Sequence, residues 1–124
     1  MTINGRANGR AEVIELDQST YAVTSGRDAH ATVGQRVRWR VLNLSPDDPH
    51  TFHLHGHAWC DRASIQTNGT CPAGSLPIDN VDLLPAQGVT FDFVEQHPGR
   101  WMYHCHIVDH VTDGMVAFYT VDET

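Results

Sequence analysis

Between Gln35 and Leu44 the chain alternates apolar Val37, Trp39 and Val41 with charged Arg36, Arg38 and Arg40. A period of two marks a β-strand with one face buried and one wet, because successive side chains point to opposite faces. Further β-type runs occupy Ala11 to Leu16, Thr20 to Thr24, Thr51 to Trp59, Val89 to Val94, Arg100 to His106 and Met115 to Val121. Turn formers separate them at Pro46-Asp47, Asn68-Gly69, Pro85 and Pro98-Gly99. About seven short strands without a long amphipathic helix predict an all-β domain, a two-sheet antiparallel Greek-key sandwich or small barrel. Asp61 to Pro85 is the longest irregular stretch and is expected to lie over the surface as a loop with at most one helical turn. No repeat, low-complexity tract or linker divides the sequence, so residues 1–124 read as one domain.

A length of 124 residues agrees with this, since it supports one hydrophobic core and not two. The net charge of −7 argues against nucleic acid and anionic lipid as partners. No apolar run is long enough to predict a membrane span, and the polar start MTINGRANGR lacks the apolar core of a secretory signal. Compartment has to be read from the cysteines instead. Cys60 and Cys71 enclose ten residues of the irregular stretch and are expected to form a disulfide, which places the protein in an oxidising setting, periplasmic or extracellular.

Histidine changes the picture most. Of nine, seven fall in two short stretches, His50-Thr-Phe-His53-Leu-His55-Gly-His57 and His104-Cys105-His106-Ile-Val-Asp-His110. His30 and His97 lie outside them and read as ordinary surface residues. If Thr51 to Trp59 is a strand, His53, His55 and His57 share one face and Phe52 and Leu54 the other. In the second stretch His104 and His106 share a face while Cys105 points to the opposite one, so one strand serves two metal centres. Cys105, His110, Met115 and His50 are the donor set of a blue-copper electron-transfer site, two imidazoles and a thiolate with a weak axial thioether. His53, His55, His104 and His106 form an all-imidazole set suited to copper that binds dioxygen. Zinc favours closed sets with Cys-x-x-Cys spacing, absent here, and a metallo-hydrolase of the HxHxDH type needs an Asp at position 57, where this chain has histidine. His57 reads as a hydrogen-bonding neighbour of the site or a surface residue rather than a ligand. Asp79, Asp82, Asp109 and Asp113 are expected in solvent, with proton relay or attraction of a cationic reductant as the functional alternative. Trp59, Trp101, Met102 and Tyr103 are assigned to packing, and the triplets at Asn43 and Asn68 that match a glycosylation acceptor carry no weight.

The segments HTFHLHGHAW and WMYHCHIVDHVTDGM resemble the paired copper motifs in the last cupredoxin domain of multicopper oxidases, most closely the two-domain or small laccases. A weaker resemblance extends over TINGR and VGQRVRWRVLNL. It implies a cupredoxin-like fold, with His50, Cys105 and His110 as type 1 copper ligands and Met115 axial. It also implies that His53, His55, His104 and His106 are this domain's half of a trinuclear type 2 and type 3 cluster. In that family the type 1 copper accepts single electrons from phenols, metal ions or other reductants, and the cluster reduces dioxygen to water. Such a cluster takes four histidines from each of two cupredoxin domains, and this chain supplies four. The other half then comes from a complementary cupredoxin domain, or from a second copy across a two-fold axis, giving a homo-oligomeric dimer or a hexamer built of dimers. The alternatives are an electron-transfer domain holding the type 1 centre alone and, less well matched, a copper nitrite reductase.

Overall fold

The computed structural model describes residues 29–124 in full, apart from 44, 64, 66–68 and 113–114; before residue 29 it describes the backbone of four short strands. Those four are β1 (Thr2–Ile3), β2 (Arg6–Ala7), β3 (Val13–Leu16) and β4 (Thr20–Val23). Then follow β5 (Ala29–Thr32), β6 (Arg36–Leu42), β7 (His50–Leu54), β8 (Trp59–Cys60), β9 (Pro77–Ile78) and β10 (Asn80–Leu83). The last elements are β11 (Gly88–Val94), β12 (Gly99–Cys105), the single helical turn α1 (Val108–Thr112) and β13 (Val116–Asp122).

Two sheets carry the fold: a five-stranded one in the order β10-β7-β12-β13-β5 and a four-stranded one in the order β11-β6-β3-β4. Among the described residues all pairings are antiparallel except β13 with β5, which run parallel. This parallel pair corrects the all-antiparallel expectation; it arises because β5 docks on the far edge of the sheet, beside a strand that comes almost a hundred residues later. The alternation in β6 appears as expected, with Val37, Trp39 and Val41 buried. On the opposite face Arg38 forms a two-pronged ion pair with buried Asp92 of β11 at 2.7 and 2.8 Å, and Arg36 adds a third bond at 2.9 Å. The Arg38 and Arg36 guanidinium groups hold the Asp92 carboxyl below its ordinary value in spite of burial.

The core between the sheets is aromatic. Trp39 meets Tyr103 and Tyr119 edge-on, with ring centres 5.0 and 5.5 Å apart, and Trp59 stacks on Phe91 at 3.9 Å. Trp59 and Tyr103 are thus packing residues, Trp101 is half-buried against the same core, and Met102 is half-buried on the other face of β12. Asn43 is buried too, donating to the carbonyls of Asp48 and Leu83. It braces the loop entering His50, while Asn68 lies outside the described residues.

Two expectations from the sequence need correction. The run from Thr51 to Trp59 is not one strand: β7 ends at Leu54, and a turn at His55–Gly56 leads to the short β8. Gly56 sits at φ 69°, a left-handed conformation that a strand does not contain and glycine adopts at low cost. The stretch from Asp61 to Pro85 is not all loop, because β9 pairs with β8 and β10 pairs with β7 along its whole length. The Cys60–Cys71 disulfide closes the remaining loop.

Candidate metal centres

The register of β7 against β12 positions both clusters. His104 lies opposite His53, and Cys105 lies opposite Phe52. Since Phe52 faces the core, Cys105 also points inward, and His50, two residues before Phe52, shares that face. Beyond the strand end α1 brings His110 back over Cys105. The Nδ1 atoms of His50 and His110 are 3.1 Å apart, and the Cys105 thiol lies 3.8 Å from the first and 3.4 Å from the second. Cys105 and His50 are buried, at 1% and 5% exposure. Burial, and then the neighbouring His110, lowers the His50 imidazole from 6.5 to about 4, so it presents a neutral donor at any pH near neutrality. Met115 is buried beside this triad, its N–H donating to the His110 carbonyl at 3.0 Å and its carbonyl accepting from the Cys105 N–H at 3.2 Å.

The second group lies on the outer face of the same two strands. Donor atoms of His53, His55 and His104 fall within 4.8 Å of one another, and the Nε2 atoms of His55 and His104 are 3.0 Å apart. His53 Nδ1–H donates to the Asp79 carbonyl and His104 Nδ1–H to the Cys105 carbonyl, both at 2.8 Å. Each bond fixes the tautomer and leaves Nε2 free as a metal donor. Desolvation and the neighbouring histidines 53, 104 and 106 lower the His55 imidazole as well. His106 stands at the rim rather than in the triplet: it follows the end of β12, is exposed, and its ring centre lies 5.3 Å from that of His53 and 5.6 Å from that of His104.

Other residues fall as follows. Asp79, Asp82 and Asp109 are exposed, as are His30 and His97, and Asp113 lies outside the described residues. His57 leaves the ligand face altogether. The turn at Gly56 swings it into the core, where it donates to the His55 carbonyl at 2.8 Å and meets the carboxylate of Glu95 at 2.9 and 3.0 Å. Glu95 was not singled out in the sequence, although it continues the inward alternation of Phe91 and Phe93, and an acid on an apolar face asks for a buried partner.

A family model described as multicopper oxidase matches residues 2–124. The chain belongs to the multicopper oxidase family. Hephaestin of Mus musculus is 37% identical over 89 residues, covering 71% of this chain and 7% of hephaestin. Ceruloplasmin of Rattus norvegicus is 36% identical over 90 residues, covering 72% and 8%. A probable nitrite reductase-hydroxylamine oxidoreductase fusion protein of Kuenenia stuttgartiensis is 29% identical over 119 residues, covering 94% and 13%. The chain therefore spans 7 to 13% of the length of these curated relatives. Among solved structures, the multicopper oxidase of Campylobacter jejuni superimposes with a TM-score of 0.62 at 27% identity, over 77% of this chain and 20% of that one. That of Pediococcus acidilactici gives 0.60 at 29%, over 77% and 21%. The fold is thus the cupredoxin Greek-key sandwich of multicopper oxidases, and copper is the family's metal.

The first triad fits that metal. An ion bonded to nitrogen at about 2.0 Å and sulfur at about 2.3 Å spaces trigonal donors by about 3.5 to 3.7 Å. The triangle of 3.1, 3.4 and 3.8 Å comes within a few tenths of an ångström of that size. Its mixture of thiolate and imidazole suits both copper oxidation states.

Proposed function

We propose that this domain is the electron-accepting part of a dioxygen-reducing oxidase, in which His50, Cys105 and His110, with Met115 beside them, would hold a type 1 copper and His53, His55, His104 and His106 would hold half of a dioxygen-reducing copper cluster. The observation that carries this reading is the placement of Cys105 and His104 as neighbours on β12 that face opposite sides of one sheet, each inside a different donor cluster. Bound copper would supply one-electron redox chemistry at the first site and dioxygen binding and reduction at the second. The chain provides the connection: the backbone joins Cys105 to His104 and His106, and the His104 Nδ1–H bond to the Cys105 carbonyl adds a shorter path to that ring. Asp79 and the Cys105 carbonyl aim the His53 and His104 rings at the cluster.

Cys105 and His50 of the first triad are buried and His110 is half-buried, whereas in the second set only His104 is buried, His53 and His55 are half-buried and His106 is exposed. An open patch of imidazoles calls for a second set facing it. A second copy about a two-fold axis brings the same patch to both sides, and a further cupredoxin domain serves equally. The reaction class is laccase-like: one-electron oxidation of phenols, metal ions or other reductants, with four electrons and four protons converting dioxygen to two waters. Metal ions are favoured by the relatives, since the Campylobacter jejuni enzyme is a metallo-oxidase and a similar protein of Gibberella zeae is an iron transport multicopper oxidase. The Cys60–Cys71 disulfide supports a periplasmic or extracellular setting.

Native mass spectrometry of the copper-loaded protein tests the reading, because it gives assembly size and metal count together. An even number of chains with about 2.5 copper ions each, consuming dioxygen in the presence of a reductant, is the expected result for a self-completed cluster. A monomer with one copper that consumes dioxygen only after a complementary domain is added places the second half elsewhere. A monomer with one copper and no dioxygen consumption under either condition refutes the oxidase reading and leaves an electron-transfer domain, which the completeness of the first triad favours. Anaerobic nitrite turnover would instead side with the Kuenenia relative.

A further inference from the structure

Glu95 and His57 belong to neither donor cluster, yet they form a deeply buried polar pair, their side chains 0% and 2% exposed. Glu95 is 0% exposed. Its carboxylate accepts from His57 Nε2 at 2.9 and 3.0 Å, from the Tyr119 hydroxyl at 2.8 Å, and from the N–H groups of Gln96 and His97 at 2.9 and 3.0 Å. Four donors on two oxygens describe an ionised carboxylate. His57 bridges two acceptors, its Nδ1 lying 2.8 Å from the His55 carbonyl and its Nε2 2.9 Å from Glu95. The ring is walled in by Phe93, Trp101 and Tyr119, with centres 5.2 to 5.5 Å away.

A buried acid–imidazole pair adds little net stability over apolar residues of the same volume, so stability alone does not account for it. Its outlet does. The pair ends on one acceptor, the carbonyl of His55. Unlike His53 and His104, which stand in the β7–β12 ladder, His55 lies beyond the end of β7 on a turn. Two backbone bonds hold it: its N–H donates to Met102 at 2.9 Å and its carbonyl accepts from His57.

We propose that Glu95 is a positioning residue for the imidazole cluster, acting through His57 to lock the His55 backbone so that the His55 ring stays against those of His53 and His104. This rests on the reading that the His53, His55 and His104 triplet binds copper. The type 1 triad draws no support from the pair, so the two sites respond differently when it is removed.

The test is a Cu(II) titration of the full chain and its Glu95→Gln, His57→Gln and His55→Ala variants. The thiolate-to-copper absorption of Cys105 reports the type 1 site, and electron paramagnetic resonance with equilibrium dialysis reports copper on the imidazoles. His55→Ala is expected to abolish the second class of copper. Glu95→Gln and His57→Gln are expected to keep the type 1 absorption, weaken Cu(II) binding at the imidazoles about tenfold or more and change its resonance signature. Wild-type binding in both variants, with loss in His55→Ala, overturns the proposal and spares the copper reading. Unchanged copper in His55→Ala overturns both. Loss of the type 1 absorption in Glu95→Gln and His57→Gln alike assigns the pair to holding the whole core and also overturns it.

Discussion

Substituting Gly56 by alanine separates two physical effects that this turn combines. A side chain at φ 69° costs about 1–2 kcal/mol in backbone strain. Stiffening of the unfolded chain returns about 0.4–1 kcal/mol. The methyl group would also overlap the six-membered ring of Trp101, which lies directly over Gly56. Trp101 does not swing away freely, because its indole N–H donates to the His97 carbonyl at 3.0 Å. Forcing a methyl into such a contact costs about 1–3 kcal/mol. Gly34→Ala is the internal reference, since Gly34 has a φ of 88° but no atom beyond its chain neighbours within 4 Å of where a Cβ would stand. It carries the backbone terms alone and should destabilise by about 1 kcal/mol. Gly56→Ala should destabilise by about 2–4 kcal/mol. Urea midpoints of the metal-free protein measure both, and equal losses for the two variants would refute the packing of Trp101 on this turn. Because the same turn carries His55, Gly56→Ala is also expected to weaken copper binding at the imidazole triplet.

Other outcomes follow from the same geometry. Replacing Cys60 and Cys71 by alanine should cost about 3 kcal/mol in chemical denaturation, from the closure entropy of their short loop; a loss under about 1 kcal/mol would contradict this. Acidification should destabilise the metal-free fold. Unfolded His50 takes up a proton below about 6.5, but folded His50 does so only near 4, so its contribution is intact above pH 6.5 and lost as pH falls towards 4. Asp92 and Glu95, both held below their ordinary values, extend the loss to lower pH. A urea midpoint that stays flat between about pH 7 and about pH 4.5 would contradict the assignment for His50. Cys105→Ser should remove the intense visible absorption of the copper-loaded protein while leaving the urea midpoint of the metal-free form nearly unchanged, and persistence of that colour would place the type 1 copper elsewhere.

The parts of this molecule legible in the sequence are those governed by local alternation. Val37, Trp39 and Val41 announce β6, and the opposite facings of Cys105 and His104 follow from period two alone. What the sequence left hidden depends on distant pairing or on one dihedral angle. The parallel match of β5 to β13 leaves no local pattern, and β10 is recognisable as a strand chiefly because β7 lies beside it. The alternating His53, His55 and His57 read as one strand face, but a single left-handed glycine after His55 ends that regularity and sends His57 inward. Glu95 was the harder case. Its position after Phe91 and Phe93 marks it as inward, yet the partner that makes this tolerable lies 38 residues away. His106 shares a face with His104 by alternation, but β12 ends between them and the ring comes to rest at the rim.

The contrast in burial between the two candidate centres also bears on how they divide the work. A thiolate site that exchanges electrons gains from enclosure, since burial keeps His50 neutral and limits rearrangement around the metal. A site that reduces dioxygen, as proposed, would have to admit the gas and release water; of the second set only His104 is buried, while His53 and His55 are half-buried and His106 is exposed, on a surface that another domain can cover. β12 separates these environments by the thickness of one sheet and joins them by one peptide bond. On this reading, a perturbation confined to the open face, such as loss of the second half-cluster, stops dioxygen reduction without dismantling the site that accepts electrons, whereas loss of Cys105 removes both the acceptor and its connection.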